Sequence, residues 1–265
     1  MTATFTPTDY VNYTTALATT LINITQATPT ITWSNPANIG YGTRLSSAQL
    51  DATASVPGKF VYTPSSGTVL SAGQNQQLNT TFTPNDNVNY TQANATVLIN
   101  VKQATPTITW KNPADMVYGT KLSSAQLDAI SSVPGSFTYN PPLGTVLSTG
   151  THTLTTSFKP KDTVDYTTAS ATASINVITP VQEINQMTTS IQNLITSGKL
   201  SNGTGRPLIS ELTAAENSLN SGQTSKATTQ LNIFIIEVDI YIDSGILSQT
   251  NGQLLINSAN AIIRA

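Results

Sequence analysis

Apolar residues fall at every second position over several stretches in the first two thirds of the chain. The clearest examples are residues 93–101 and 169–177, and a less regular one covers residues 16–24. A period of two is typical of β-strands that bury one face and expose the other. Pairs such as Pro-Gly, Asn-Pro and Ala-Gly separate the stretches and indicate turns. The pattern therefore predicts short antiparallel strands that form small β-sandwiches.

Two segments recur with an offset of 77 residues. Thr-Pro-Thr-Ile-Thr-Trp occurs at 28–33 and 105–110, and Leu-Ser-Ser-Ala-Gln-Leu-Asp-Ala occurs at 45–52 and 122–129. An internal repeat of this length indicates copies of one structural unit. The second copy lacks one residue near His152, which we interpret as a shortened turn.

The repeat boundaries and a change of period predict four domains. Residues 1–26 match only the end of a repeat, so we expect the C-terminal part of an incomplete Ig-like unit. Two explanations remain open: a longer protein is divided within this repeat, or another chain completes the unit by strand addition. Its two strands would expose apolar side chains, because a lone hairpin has no second sheet to cover it. Complete Ig-like β-sandwiches are predicted at 27–102 and 103–178, and a helical domain at 179–265.

An Asp-x-x-x-Tyr motif precedes the last strand of every copy. It predicts a tyrosine corner, in which the phenol hydroxyl bonds back to nearby backbone, with the aspartate closing the turn. We assign this structural role to Tyr13, Tyr90 and Tyr166.

Each complete repeat carries one tryptophan at the end of its first strand, Trp33 or Trp110. The alternating pattern places both on the same side as core-facing residues, so we predict a structural role in the core. The alternative is a carbohydrate platform built from these rings and the repeated tyrosines.

The apolar period lengthens to that of an α-helix after residue 178. Thr179, Pro180 and Gln182 predict a helix start, with Thr at the N-cap, Pro at the first helical position and Gln at the third. We expect this helix to end at Ser197-Gly198. Three more helices are predicted, one from near Pro207 to Gly222, one ending near Ser244 and one over residues 248–263. The fold class predicted is therefore all-β plus all-α, with Ig-like sandwiches followed by a helical bundle.

Composition excludes several classes of function. Only 9% of residues are charged, the net charge is −2, and the basic residues are scattered, so a nucleic-acid surface is not expected. The chain has no cysteine, which excludes disulfides and thiolate chemistry. No apolar run reaches the roughly 20 residues that a membrane span needs, and the first residues do not form a signal peptide.

The residues that could carry chemistry are few. His152 is the only histidine and has no triad or metal-ligand pattern around it, so we interpret it as a turn residue. Asp86 and Asp162 are better explained as turn caps than as calcium ligands, because calcium needs six to eight oxygens. An isopeptide crosslink is not favoured, since no glutamate occurs before Glu183 and the lysines fall at turns or junctions (Lys59, Lys102, Lys111 and Lys121). We expect no catalytic residue, metal site or cofactor.

Asn-x-Ser/Thr sequences could accept N-linked sugars. Their number is what chance yields in a chain so rich in Asn, Ser and Thr, so they are weak candidates. They occur at Asn12, Asn23, Asn79, Asn89, Asn94 and Asn202.

The repeat motifs resemble the tandem Ig-like repeats of large bacterial and archaeal surface proteins. The resemblance rests on Ala-Thr-Pro-Thr-Ile-Thr-Trp, on Tyr-Gly-Thr-x-Leu-Ser-x-x-Gln-Leu and on Phe-Thr-Pro-x-Asp-x-x-Asn-Tyr-Thr. Residues 181–263 resemble the FIMAH domain through Leu-x-x-Ser-Gly-x-Leu at 194–200 and Leu-x-x-Phe-Ile-x-x-Val at 231–238. Both resemblances imply an extracellular or cell-surface setting, and neither implies a catalytic residue.

We therefore predict a non-catalytic stalk or adhesin segment, with the repeats as a spacer and the helical domain as an interaction or assembly module. Its partner would be a cell-envelope component or another copy of the chain. Two alternatives remain open. The chain could be the accessory C-terminal region of a secreted enzyme, or a subunit of a head-to-tail filament completed by strand addition.

Overall fold

A computed structural model describes residues 1–265, which form two compact units. The first unit contains Met1–Ala104 together with Val164–Tyr166. The second contains Thr105–Thr163 and Thr167–Ala265.

The first unit begins with an isolated two-stranded hairpin. Strands β1 (Thr2–Phe5) and β2 (Ala16–Thr19) pair antiparallel, with Phe5 opposite Ala16. No third strand joins this sheet. Its large apolar side chains are exposed, as expected: Phe5, Leu17, Leu21, Ile22 and Ile24.

The rest of the first unit is a β-sandwich, which we call the first sandwich. A four-stranded sheet has the order β4-β8-β7-β6, and β3 pairs with β5 in a separate two-stranded sheet. Leu78, Val97 and Ile99 project from the larger sheet into the core, where they meet Leu45 and Leu50. The strands are β3 (Ile31–Thr32), β4 (Ile39–Gly40), β5 (Thr53–Ala54), β6 (Gly58–Thr63), β7 (Gly73–Pro84) and β8 (Ala93–Lys102).

Three residues of a later loop also belong to the first unit. The buried Asp165 accepts a hydrogen bond of 2.6 Å from the backbone nitrogen of Ala72 and one of 2.9 Å, at its carbonyl, from Ala104. Tyr166 packs edge-on against Tyr41, with ring centres 5.2 Å apart.

The second unit repeats the sandwich, which we call the second sandwich. Its four-stranded sheet has the equivalent order β10-β14-β13-β12, and β9 pairs with β11. Leu154, Ile175 and Val177 take the core positions of the larger sheet. The strands are β9 (Ile108–Thr109), β10 (Met116–Val117), β11 (Ile130–Ser131), β12 (Gly135–Asn140), β13 (Gly150–Pro160) and β14 (Ala169–Ile178).

The length difference between the two copies lies in a strand and not, as predicted, in a turn. The pairing of β7 with β8 is irregular between Gly73 and Gln76, where Asn75 has a φ of 54°. In the second copy Gly150, Thr151 and His152 pair with β14 without interruption. The extra residue of the first copy therefore forms a β-bulge, which adds a residue to one strand without disturbing its neighbour.

Four helices complete the second unit. Thr179 caps the first through the predicted box with Gln182, directly after the last strand. The second helix begins earlier than predicted, because Ser201 caps it and Pro207 lies inside it. The helices are α1 (Pro180–Thr196), α2 (Asn202–Asn220), α3 (Thr224–Asp243) and α4 (Gln249–Arg264).

The helical domain packs against the second sandwich. Val117 of β10 is 3% exposed and lies in the helical core with residues such as Ile184 and Leu212. The chain terminus packs so closely on Gly119 that a Cβ there would lie 2.5 Å from the carbonyl oxygen of Ala265. The fold class predicted from the sequence, β-sandwiches followed by a helical bundle, is confirmed.

Candidate functional site

His152 has a structural role that its counterpart in the first copy explains. Its Nε2 lies 2.6 Å from the backbone carbonyl oxygen of Ser148, and the side-chain amide of Gln76 donates to the equivalent carbonyl of Ser71 over 2.6 Å. Because a carbonyl only accepts, the ring nitrogen carries a proton and donates it. That nitrogen cannot take a proton from the Ser148 hydroxyl, 3.5 Å away. The pair therefore lacks the geometry of a nucleophile with its base.

The two tryptophans occupy equivalent positions at the edges of the sandwich cores. Both are half-buried and pack against the cores. The indole nitrogen of Trp110 donates to the carbonyl of Gln126 over 3.0 Å, and that of Trp33 donates to Gln49 over 3.1 Å. A tyrosine packs edge-on against each ring (Tyr62 and Tyr139). These contacts support the structural role.

The turns before the last strands are closed by aspartate. In the first sandwich, Asp86 accepts hydrogen bonds from the backbone of Val88 and Asn89 and from the Asn89 side chain. The bonds from Asn89 hold the pKa of Asp86 below its usual value. Tyr90 is half-buried beside this turn, and no hydrogen bond of its hydroxyl contributes to the closure. Asp9 closes the hairpin turn before the exposed Tyr13 in the same way.

All six candidate glycosylation asparagines are exposed, namely Asn12, Asn23, Asn79, Asn89, Asn94 and Asn202. The amide nitrogens of Asn12 and Asn89 already donate to Asp9 and Asp86 over 2.9 and 2.8 Å. A sugar on either nitrogen would compete with the bond that closes its turn. No group of three or more His, Asp or Glu side chains lies close enough to hold a metal ion.

A groove runs between α1 and α4, and we define it as the α1–α4 groove. Its volume is about 320 Å³. Capped helix starts position both walls, at Thr179 for α1 and at Ser248 for α4. Apolar side chains line part of it, including the exposed Leu254.

Glu183 is the one charged residue that lines the α1–α4 groove. Only 9% of its surface is exposed, and its carboxylate makes no hydrogen bond in the structure. Its place in the first turn of α1 favours a negative charge, because the helix dipole is positive there. Amides and hydroxyls also line the groove (Gln186, Ser190, Asn193, Asn251 and Ser258). Its carboxylate oxygens still reach solvent, because Thr120 carries the only fully buried side-chain oxygen or nitrogen without a hydrogen-bond partner.

Residues 184–264 match the family model of the FIMAH domain. The match covers α1 from Ile184 onward together with α2, α3 and α4, so Glu183 lies just outside it. We call this region the FIMAH-like domain.

Comparison with solved structures finds fibronectin(III)-like modules of Clostridium thermocellum CbhA at 14% identity. The match covers 57% of this chain and 94% of the other, with a TM-score of 0.21. The strand pairing described above defines the fold class. No protein with curated annotation matches the chain. None of the helices has both the length and the hydropathy needed to cross a membrane.

Sequence analysis did not find the groove of the FIMAH-like domain. Its walls are separated by about 60 residues in the chain, and a single sequence does not reveal which helices are neighbours. One signal was present in the sequence. Glu183 precedes Ile184 and Met187 on the apolar stripe of α1, and an acidic residue beside such a stripe is a candidate for partial burial.

Proposed function

We propose that this chain is a non-catalytic segment of a cell-surface protein, in which the sandwiches are spacers and the FIMAH-like domain binds a partner. The observation that carries the binding role is the position of Glu183, the one charged residue that lines the α1–α4 groove, beside the apolar side chains of Met187, Leu194 and Leu254. The surface setting is supported by the match to the FIMAH model and by strands rich in threonine and poor in charge.

The spacer role is supported by the short junction between the second sandwich and the helical domain. Strand β14 ends at Ile178 and α1 begins at Pro180, so only the N-cap Thr179 separates sandwich from helix. A flexible linker would contain several small polar residues at this point. A direct junction transmits position from one element to the next, which is what a spacer requires.

The chemistry of the α1–α4 groove favours a basic side chain of a polypeptide partner. An ammonium group could donate to Glu183, and a charge-assisted hydrogen bond of this kind is stronger than a neutral one. The aliphatic stem of a lysine could lie along Met187, Leu194 and Leu254.

Titration of the full chain with Nα-acetyl-lysine amide, followed by NMR, tests this proposal. We expect shifts at residues 183–194 and 251–258, with a dissociation constant on the order of 1 mM for so small a ligand. Nα-acetyl-norleucine amide keeps the stem without the charge and should bind at least about tenfold more weakly.

Glu183→Gln should remove the preference for the charged ligand, whereas Glu211→Gln on α2, outside the groove, should keep it. Equal binding of both ligands, or binding of the lysine derivative that survives Glu183→Gln, would contradict the proposed site.

The exposed hairpin supports a second candidate function, assembly by strand addition. Phe5 and Ile22 are 67% and 63% exposed, whereas Phe82 and Ile99, at the same repeat positions, are 1% exposed. The hairpin therefore carries the core-facing side chains of a sandwich without the strands that would cover them. Another copy could supply those strands, since an exposed sheet edge accepts an extended segment.

Hydrogen exchange at two protein concentrations separates the possibilities for the hairpin. We expect little protection of Ala16–Thr19 in the monomer, and protection that rises with assembly, while β8 stays protected throughout. Strong protection in a proven monomer, or no protection in an assembled sample, would argue against strand addition.

A further inference from the structure

Helix α3 differs from α1 and α2 on its outer face. Ile233, Ile236 and Ile240 are 47%, 60% and 57% exposed, although Phe234 and Val238 on the opposite side are fully buried. Neither α1 nor α2 exposes a large apolar side chain. A helix that is apolar on both faces is normally covered on both faces.

The exposed residues of α3 follow a heptad pattern. Steps of three and four residues alternate along one stripe, which is the spacing of a coiled-coil seam. The stripe extends for about 25 Å, at 1.5 Å per residue. Its members are all exposed, and we call them the α3 seam: Lys226, Thr229, Ile233, Ile236, Ile240 and Asp243.

The charges of the α3 seam specify an orientation. Its cation, Lys226, lies at the N-terminal end and its anion, Asp243, at the C-terminal end. In an antiparallel pair related by a two-fold axis, Lys226 of one copy meets Asp243 of the other. The same symmetry sets Ile233 against Ile236 and Thr229 against Ile240. A parallel pair would set lysine against lysine and would also align the helix dipoles unfavourably.

We propose that the α3 seam is the site at which two copies of this chain associate, with their α3 helices antiparallel across a two-fold axis. The surface is self-complementary in charge and in the pairing of its apolar residues, as an isologous interface requires. It is distinct from the α1–α4 groove and from the hairpin. One helical stripe buries less area than a permanent interface, so the dimer is weak and concentration-dependent.

Sedimentation velocity of the full chain tests the proposal. We expect a monomer–dimer equilibrium with a dissociation constant of roughly 10 μM to 1 mM. Lys226→Asp sets aspartate against Asp243, and Asp243→Lys sets lysine against Lys226. Each variant should dimerise at least about tenfold more weakly than the native chain.

An equimolar mixture of these two variants should dimerise again, because each heterodimer restores two pairs of opposite charge. Ile236→Ser should abolish dimerisation, whereas Ile130→Ser, at an isoleucine 65% exposed on β11, should leave it unchanged. Circular dichroism confirms that each variant is folded. A chain that stays monomeric at 1 mM overturns the proposal, as does association that the charge variants do not weaken or that the mixture does not restore.

Discussion

Asp86 shows how much of a turn can depend on one exposed side chain. Its two carboxylate oxygens accept three hydrogen bonds within a four-residue segment, and Asn89 supplies two of the donors. The bonds favour the ionised form, which is why the pKa of Asp86 is lowered. A lowered pKa in the folded state contributes stability above the unfolded pKa, and this contribution is lost as the pH falls through the folded value.

Asp86→Asn should therefore lower the melting temperature at pH 7, and the difference from the native chain should shrink below about pH 4. Calorimetry across this range measures both effects. Asn87→Ala, in the same turn, serves as the control and should cost little at any pH. A difference that is independent of pH would show that the ionised carboxylate is not the source of the stability.

The sequence predicts the structural role of some individual residues, such as the capping aspartate, but not of others, such as His152. The capping aspartate was predictable because its side chain bonds only to its own neighbours in sequence. The role of His152 as the counterpart of Gln76 became clear only from the strand pairing, because the bulge at Asn75 shifts the alignment by one residue. Half-burial of Trp110 also depends on neighbours distant in sequence, such as Tyr139.

Two helical hairpins with the same internal design form the FIMAH-like domain. Each hairpin has a buried leucine, Leu200 or Leu247, directly before a serine N-cap. A buried glycine lies four residues after each serine. The glycines, Gly205 and Gly252, let the helices approach. A Cβ on either would lie 2.4 Å from the tip of an isoleucine, Ile195 or Ile242.

Gly205→Ala should destabilise the domain by up to about 2 kcal/mol. Alanine favours a helix by about 1 kcal/mol over glycine, but overpacking a filled core costs about 1–3 kcal/mol. The double variant Gly205→Ala, Ile195→Val removes the terminal methyl that the new Cβ would meet and leaves the γ carbon 2.7 Å away, so it should recover part of the loss. Denaturant unfolding followed by circular dichroism measures both. If the double variant were less stable than Gly205→Ala alone, close packing at Ile195 would not be the cause.

The apolar period of the sequence predicts that the four helices exist. A helix start is predictable where the N-cap residue is recognisable from the sequence, as at Thr179. The Thr179 box uses residues within four positions of one another, so local sequence determines it. The sequence predicts a start of α2 near Pro207, but the helix begins at Asn202 and Pro207 lies inside it. Ser201 forms the actual cap through the backbone nitrogen of Thr204. No local sequence signal predicts that α1 lies beside α4. The α1–α4 groove therefore could not be predicted from the sequence.

In the second unit, the helical domain packs on the sandwich through a residue that the first sandwich lacks. The buried Val117 occupies the repeat position that is Gly40 in the first sandwich, where no side chain is available for packing. Val117 lies in the core of the FIMAH-like domain, so the sandwich and the helices share apolar contacts. We expect the two to unfold together.

Val117→Gly should uncouple them. Loss of a buried valine costs about 1.5–3 kcal/mol, and glycine in a strand adds about 0.5–1 kcal/mol. Hydrogen exchange in α1 and α4 should rise relative to β13, and thermal unfolding should separate into two transitions. Val61→Gly, at an exposed valine of β6, is the control and should leave helix exchange unchanged. Unchanged protection of α1 in Val117→Gly would contradict the coupling.

The parallel pairing inside each sandwich determines how the chain resists tension. Strand β4 pairs parallel with β8 through Ile39 opposite Val101, and β10 pairs in the same way with β14. When the ends of a repeat are pulled apart, two parallel strands slide past each other, and the hydrogen bonds between them carry the load simultaneously. Antiparallel neighbours joined by a turn, such as β1 and β2, open one bond after another from the free end. Under stretching, each sandwich should therefore hold until a single rupture event, whereas the hairpin should yield gradually at low force.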